Sequence, residues 1–291
     1  MQKILVTGAT GHLGRGIIKN LLTHLSAENI VGIARQPEQA AEIAALGVEV
    51  RRADYTDYDS LVQALQGIDK LYLVSAVAFT DRVAQHGNVI RAARAAGVKH
   101  IVYPSIQRDE AASVVIDSVT ESDLATEGLL RESGMAYTII YHPMYAESIP
   151  IFIGGQVAVK GIRVPAGNGR TPFTSRDDLA AAGAAILAKG GYENTEVSLN
   201  AGLSYSMDDL AEIYAEVLNT PVAYSNISAQ TYMDECAAAG FPAPAAAFLS
   251  QWFVAMAAGA FDAPSPILAQ LTGVPPKSLR EVLANALAQA A

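Results

Sequence analysis

Short apolar runs and amphipathic stretches alternate along the first half of the chain. "KILVTG" is a β-rich run, and "GRGIIKNLLTHL" after it spaces its apolar residues at helical period. "IVGIAR" and "PEQAAEIAALG" repeat the pair, as do "VEVRRADY" and "DYDSLVQALQG". "KLYLVSA" predicts a fourth strand with a long helix over 81–97 behind it. "HIVYPS" predicts a fifth, with a helix over 117–133, and "AYTIIYHP" a sixth that stops at Pro143. Strands that are apolar throughout suit burial on both faces. The pattern therefore predicts an α/β fold, a Rossmann-type doubly wound parallel sheet with right-handed crossovers.

Beyond Pro143 the pattern loosens. "GQVAVKGIRV" predicts a strand, and "TSRDDLAAAGAAIL" a helix capped by Thr174 or Ser175. "TEVSLN" is a late strand, and "SMDDLAEIYAEVL" a helix whose cap Ser206 forms an acidic capping box with Asp209. The last third is rich in alanine and proline and mainly helical. The expected organisation is a nucleotide-binding domain over 1–150, with segments around 174–200 returning to it. Residues 151–291 mostly form a smaller helical lobe for substrate, packed over the C-terminal edge of the sheet.

Composition narrows the function. With 291 residues, 51% of them hydrophobic, the chain can build one large domain or a domain with a lobe. A formal charge of −9 repels a phosphate backbone, so no nucleic-acid partner is expected. The single cysteine, Cys236, excludes an internal disulfide and a cysteine-rich metal site. The five histidines are scattered without ligand spacing, so no metal is expected, and nothing suggests a flavin. The apolar stretch 242–261 carries Ser250 and Gln251 at its middle and starts among prolines, which favours a buried helix over a membrane span. "MQKILV" enters a strand directly and lacks a signal peptide's features, so a cytoplasmic enzyme is expected.

The chemistry begins at "TGATGHLG", with Gly8, Gly11 and Gly14 between a strand and an amphipathic helix. One glycine leaves the strand through a tight turn, a second lets backbone approach a pyrophosphate, and a third lets helix pack on strand. The free N–H groups of the helix starting near His12 then face the phosphates. Where NAD-binding chains place an acid after the second strand, this chain has Arg35, which suits the 2′-phosphate of NADPH. Asp54 and Tyr55 end the third strand, at the edge that faces adenine in such folds. For Asp54 the alternative is an ordinary helix cap formed with nearby Thr56 or Asp57. Ser75, Ala76 and Val77 end the fourth strand, where small residues let backbone approach the cofactor ribose.

"TGATGHLG", "GIARQPEQA", "GVEVRRADYTDYDSL", "AARAAGVKHIVY" and "LLRESGMAYTII", in this order, resemble the NmrA-like, atypical short-chain dehydrogenases. The nearest branch in texture reduces quinones and triphenylmethane dyes with NADPH. "PAGNGRTPFTSRDDLAAAGAAIL" and "LTGVPPKSLREVL" extend the likeness over nearly the whole chain. The resemblance implies a phosphate turn of Gly8, Thr10, Gly11, His12 and Leu13, with His12 acting through its backbone. It also implies that Tyr141 to Tyr145, Pro143 among them, lie beside the nicotinamide. Tyr103 and Ser105 end the fifth strand, at the carboxyl edge where ligands bind in this fold, and are expected among the cofactor contacts.

Most short-chain dehydrogenases carry Tyr-x-x-x-Lys on the helix after the fifth strand, as acid and helper. Aligning Glu127 with the family glutamate puts Val119 at the tyrosine and Asp123 at the lysine, and neither can do that work. An acceptor that takes hydride without a strong acid, such as a quinone or a cationic dye, is therefore expected. The alternatives are a nucleotide-sensing regulator without turnover and a carbonyl reductase with a displaced acid. Tyr141 and His142 are the candidate donors, and Gln107, Tyr145, Phe248 and Trp252 the candidate substrate pocket. The loop "IQRDEAASVVID" is expected to close over the substrate. Phe248, Trp252 and Met256 fall at i, i+4 and i+8, with Leu249, Phe253 and Phe261 beside them. That stripe could serve the core, a homodimer interface, or an apolar pocket wall for a small aromatic substrate.

Overall fold

The computed structural model describes residues 2–109, 114–117 and 119–290. The first half runs β1 (Ile4–Val6), α1 (His12–Leu21), β2 (Ile30–Ala34), α2 (Ala41–Ala44), β3 (Glu49–Arg52), α3 (Tyr58–Ala64), β4 (Lys70–Tyr72), α4 (Arg82–Ala95), β5 (His100–Ile106), α5 (Thr120–Glu132) and β6 (Ala136–His142). Then follow α6 (Ile149–Ile153), α7 (Val157–Lys160), β7 (Ile162–Val164), α8 (Arg176–Lys189), β8 (Thr195–Ser198), α9 (Met207–Leu218), β9 (Tyr224–Asn226), α10 (Ala229–Ala238), α11 (Ala243–Ala257), α12 (Ile267–Thr272) and α13 (Leu279–Ala290).

Seven strands pair in the order β3-β2-β1-β4-β5-β6-β8, every pair parallel. The order reverses direction between β1 and β4, the switch point where such sheets bind ligands beyond their carboxyl ends. One apolar cluster joins the sheet to α1, α8 and α12, and a second joins it to α3, α4 and α5. Helix α8 sits close because it is built of small residues. A Cβ on Gly16 of α1 would come within 2.9 Å of Ala180, and one on Gly183 within 2.9 Å of the Tyr72 ring. A third cluster fills the lobe, where β7 and β9 form a separate two-stranded sheet.

Several local expectations shift. The helix expected over 117–133 starts at Thr120 and the one over 81–97 at Arg82, capped by the Asp81 side chain. Of Thr174 and Ser175, Ser175 is the cap, accepting from the Asp178 N–H, and the Ser206–Asp209 capping box is present. "GQVAVKGIRV" divides into helix α7 and strand β7. Gly161 between them has φ of +73°, and a Cβ there would lie 2.4 Å from the Ala223 carbonyl oxygen, so only glycine lets the chain turn so sharply. The stretch 242–261 holds α11, and no helix among the described residues is long and apolar enough to cross a membrane.

Candidate active site

The glycine turn is built as its spacing requires. Gly8 has φ of +61°, and the Gly11 N–H donates to its carbonyl at 2.9 Å. A Cβ on Gly14 would lie 2.4 Å from the Gly8 carbonyl oxygen, which closes that position to any side chain. Helix α1 starts with no side-chain cap and no acidic residue in its first turn. Its N-terminal N–H groups thus face a groove of about 480 Å³ lined by Gly8, Thr10, Gly11, Arg35, Asp54, Tyr55 and residues 74–77. This is an anion cradle of the kind a dinucleotide pyrophosphate fills. Leu13 is buried, so it can reach a phosphate only through backbone, and His12 is exposed with Nε2 3.5 Å from Asp177.

The other groove residues have defined partners. Arg35 is exposed at the wall, and its charge helps to hold Asp54 below the usual carboxylate range, after the larger effect of the Thr56 N–H. Asp54 Oδ1 accepts both the Thr56 N–H and the Thr56 hydroxyl, while the helix cap is Asp57. The Tyr55 hydroxyl donates to the Val74 carbonyl at 2.7 Å and contacts Thr7 Oγ1. Its ring is thereby fixed in the groove wall.

A histidine unremarked in the sequence supports this wall. His86 of α4 is fully buried, and its Nε2 accepts the Ala76 N–H at 2.9 Å. An N–H can only donate, so the ring proton sits on Nδ1, which reaches Thr126 Oγ1 at 2.9 Å. Burial, aided by the charge of Arg82, pushes its pKa down to about 3. A lone histidine in "RVAQHG" carries no local signal, because its partners lie far off in sequence on α5 and the β4–α4 loop.

Ser75 and Ala76 also line a second cavity of about 240 Å³, so the two hollows share one wall. Its apolar side comprises Ile149, Phe152, Phe173, Met207, Phe248, Trp252 and Phe253. The apolar stripe of α11 splits: Phe248 and Trp252 face this cavity, while Met256, with Phe261 beyond the helix end, lies in the lobe core. On the sheet side the cavity meets Ser105, Val119, Asp123, His142, Pro143 and Tyr145. Val119 and Asp123, the positions aligned with the acid and the lysine, thus both line the hollow.

Asp123 belongs to a buried ion pair. Its carboxylate accepts from Arg82 Nη2 at 2.7 Å, the Tyr103 hydroxyl at 2.6 Å and the Ile106 N–H at 3.0 Å. Burial raises its pKa against the pull of Arg82. One turn on, Glu127 accepts from the Ser105 hydroxyl and, bidentately, from Arg108. Tyr103 is fully buried beneath the site and lines neither hollow.

The end of β6 sorts the candidate donors. Successive strand residues face opposite sides. Tyr141 packs with the α3–α5 layer, donates its hydroxyl to Glu196 at 2.6 Å and does not line the cavity, so a donor role at this site does not fit its geometry. His142 points the other way and lines the cavity, its Nδ1 3.5 Å from the Tyr145 hydroxyl. Burial pushes His142 down to about 3 and Tyr145 up to about 12. Gln107 is absent from both hollows, because its amide joins the Phe261 carbonyl and Asn200, fastening β5 to the lobe. Of the loop 106–117 expected to cover the substrate, residues 110–113 lie outside the described residues.

Known proteins resemble this chain in sequence and fold. The NmrA-like family model matches residues 1–279. Quinone oxidoreductase 2 of Escherichia coli (strain K12) is 33% identical over 286 residues, covering 97% of this chain and 98% of that protein. The crystal structure of the E. coli NADPH-dependent quinone oxidoreductase complexed with NADPH has a TM-score of 0.89 to this chain at 33% identity, covering 98% and 99% of the two chains. That of Citrobacter sp. triphenylmethane reductase complexed with NADP(H) has a TM-score of 0.88 at 32% identity, again covering 98% and 99%. An NAD(P)H azoreductase of Xenophilus azovorans is 26% identical over 247 residues, covering 82% of each. A cradle for a dinucleotide, a second hollow sharing its wall, and a family match over most of the length agree: the chain belongs to the NmrA-like family and is an NAD(P)H-dependent oxidoreductase of the atypical short-chain dehydrogenase type.

Proposed function

We propose that this oxidoreductase uses NADPH to reduce a flat, electron-poor aromatic acceptor, a quinone or a triphenylmethane-type dye, and that no side chain supplies the proton. The observation that carries the reading is the second hollow: an aromatic box against the cofactor groove, with Val119 and the ion-paired Asp123 where a protein acid and its lysine would stand.

NADPH supplies the hydride. Gly8, Thr10, Gly11 and the start of α1 hold the pyrophosphate, and Arg35 meets the 2′-phosphate. Ser75 and Ala76 orient the nicotinamide end at the shared wall. Phe248, Trp252 and Phe152 sandwich the acceptor and keep water from it. Holding the partners in near-attack geometry can contribute on the order of 7–11 kcal/mol. His142 and Tyr145 can orient an acceptor atom through hydrogen bonds. The neutral imidazole is no acid at neutral pH, since burial keeps its pKa near 3. A reduced quinone leaves as an anion that takes its proton from solvent.

The relatives support this reading, since their names include a quinone oxidoreductase, a triphenylmethane reductase and an azoreductase. The test is NADPH oxidation with 1,4-naphthoquinone, malachite green and an aryl aldehyde. Turnover with either of the first two and none with the aldehyde is expected. Turnover with the aldehyde alone assigns a carbonyl reductase, and tight binding without turnover a nucleotide sensor.

A further inference from the structure

The loop from β4 to α4 serves both hollows. Ser75, Ala76, Val77 and Thr80 line the cofactor groove, and Ser75, Ala76 and Ala78 line the acceptor cavity. Between Ala78 and Thr80 stands Phe79. Three observations set it apart. Its φ is +70°, a left-handed conformation that a bulky residue adopts only when its surroundings impose it. The residue is 65% exposed, so burial does not explain it. Its ring meets Phe248 of α11 edge to face, with centroids 5.0 Å apart. Phe248 lines the acceptor cavity and meets Trp252, another lining residue, at 6.2 Å.

The chain of contact runs from a loop in the cofactor groove, through Phe79 and Phe248, to Trp252 in the acceptor cavity. We propose that Phe79 is a clasp: with the cofactor seated on residues 75–77, its ring holds Phe248 over the acceptor cavity, so that cofactor occupancy closes the acceptor site. Phe79 is a positioning residue, acting through Phe248. Through its contact with Phe248, Phe79 supplies a link from this loop to α11 of the lobe. Its left-handed backbone is what lets the loop turn its ring outward to α11 while its neighbours stay on the grooves. The consequence is an ordered reaction in which cofactor binds first and a flat ring is then enclosed. This inference rests on reading the two hollows as cofactor and acceptor sites.

Trp252 is the only tryptophan, which makes the clasp observable. The probe is acrylamide quenching of its fluorescence with and without saturating NADP⁺, saturation being set by calorimetry. Phe79→Asn removes the ring and tolerates the left-handed backbone; Phe79→Tyr keeps the ring. In the wild type NADP⁺ should lower the quenching constant about twofold, and in Phe79→Tyr it should do the same. In Phe79→Asn the protection should vanish while NADP⁺ affinity stays within about threefold. With 1,4-naphthoquinone, Phe79→Asn should raise KM by about fivefold or more with kcat changed less than twofold, and Phe79→Tyr should restore KM. Equal protection in Phe79→Asn and wild type, or none in the wild type, overturns the clasp. Protection of Trp252 in the wild type that is lost in Phe79→Asn, with no reduction of quinone or dye, upholds the clasp and refutes the substrate assignment instead.

Discussion

The imidazole of His86 accepts the Ala76 N–H at 2.9 Å, so a buried neutral histidine holds the wall common to both hollows. Only the neutral ring can accept, and its pKa is depressed to about 3. Between that value and the ordinary value near 6.5, the unfolded chain binds a proton that the native state refuses. Stability from this group is therefore full above about pH 6.5 and falls as pH drops toward 3, and His142 acts with the same sign. Thermal melts from pH 7 to 4 should show a steadily falling Tm, and His86→Gln should flatten part of that slope. A level Tm would contradict the assignment of both rings.

Arg35 is the only basic residue lining the cofactor groove among the described residues. Arg35→Glu should cut kcat/KM for NADPH by tenfold or more, about 1.4 kcal/mol or above, and reverse or abolish the preference over NADH. Unchanged NADPH affinity in that variant would remove the 2′-phosphate contact from the account.

Tyr141→Phe should leave kcat/KM for the acceptor within about twofold, because its hydroxyl is spent on Glu196 on the other face of the sheet. The loss should be confined to stability, at about 1 kcal/mol or less for a partly exposed hydrogen bond. Chemical denaturation of the pure variant beside its kinetics checks both halves.

The Arg82–Asp123 pair is almost fully buried on both sides, at 5% and 3% side-chain exposure. Removing one partner leaves the other charged and dry, so Asp123→Ala should cost about 3–5 kcal/mol. A loss below about 1 kcal/mol by denaturant titration would mean that the pair is not closed as described.

The alternating pattern disclosed the sheet because each buried parallel strand is a local apolar run. The glycine turn was legible for a similar reason, since its mechanism lies within eight consecutive residues, Thr7 to Gly14. The aromatic residues of α11 were visible as a stripe, but its three possible sinks could be separated only by the packing that sends Phe248 and Trp252 to the cavity and Met256 to the core. Tyr141 and His142 cannot both serve one site as donors, because neighbours on a strand face opposite ways, a rule legible in the sequence itself. His86, Arg82 and Phe79 could not be read in advance. The first two gain their roles from partners 10 to 41 residues away. The third gains it from a backbone angle and from Phe248, 169 positions further on (248 − 79).

The central claim is that hydride transfer proceeds without an acid from the protein. It is tested most directly by the pH dependence of kcat/KM for 1,4-naphthoquinone at saturating NADPH. With His142 held near 3 and Tyr145 near 12, neither of these two cavity groups titrates in the neutral range. The profile should therefore be flat within about twofold from roughly pH 5.5 to 9. A tenfold fall above a single pKa near 7 would reveal a protein acid and contradict the account.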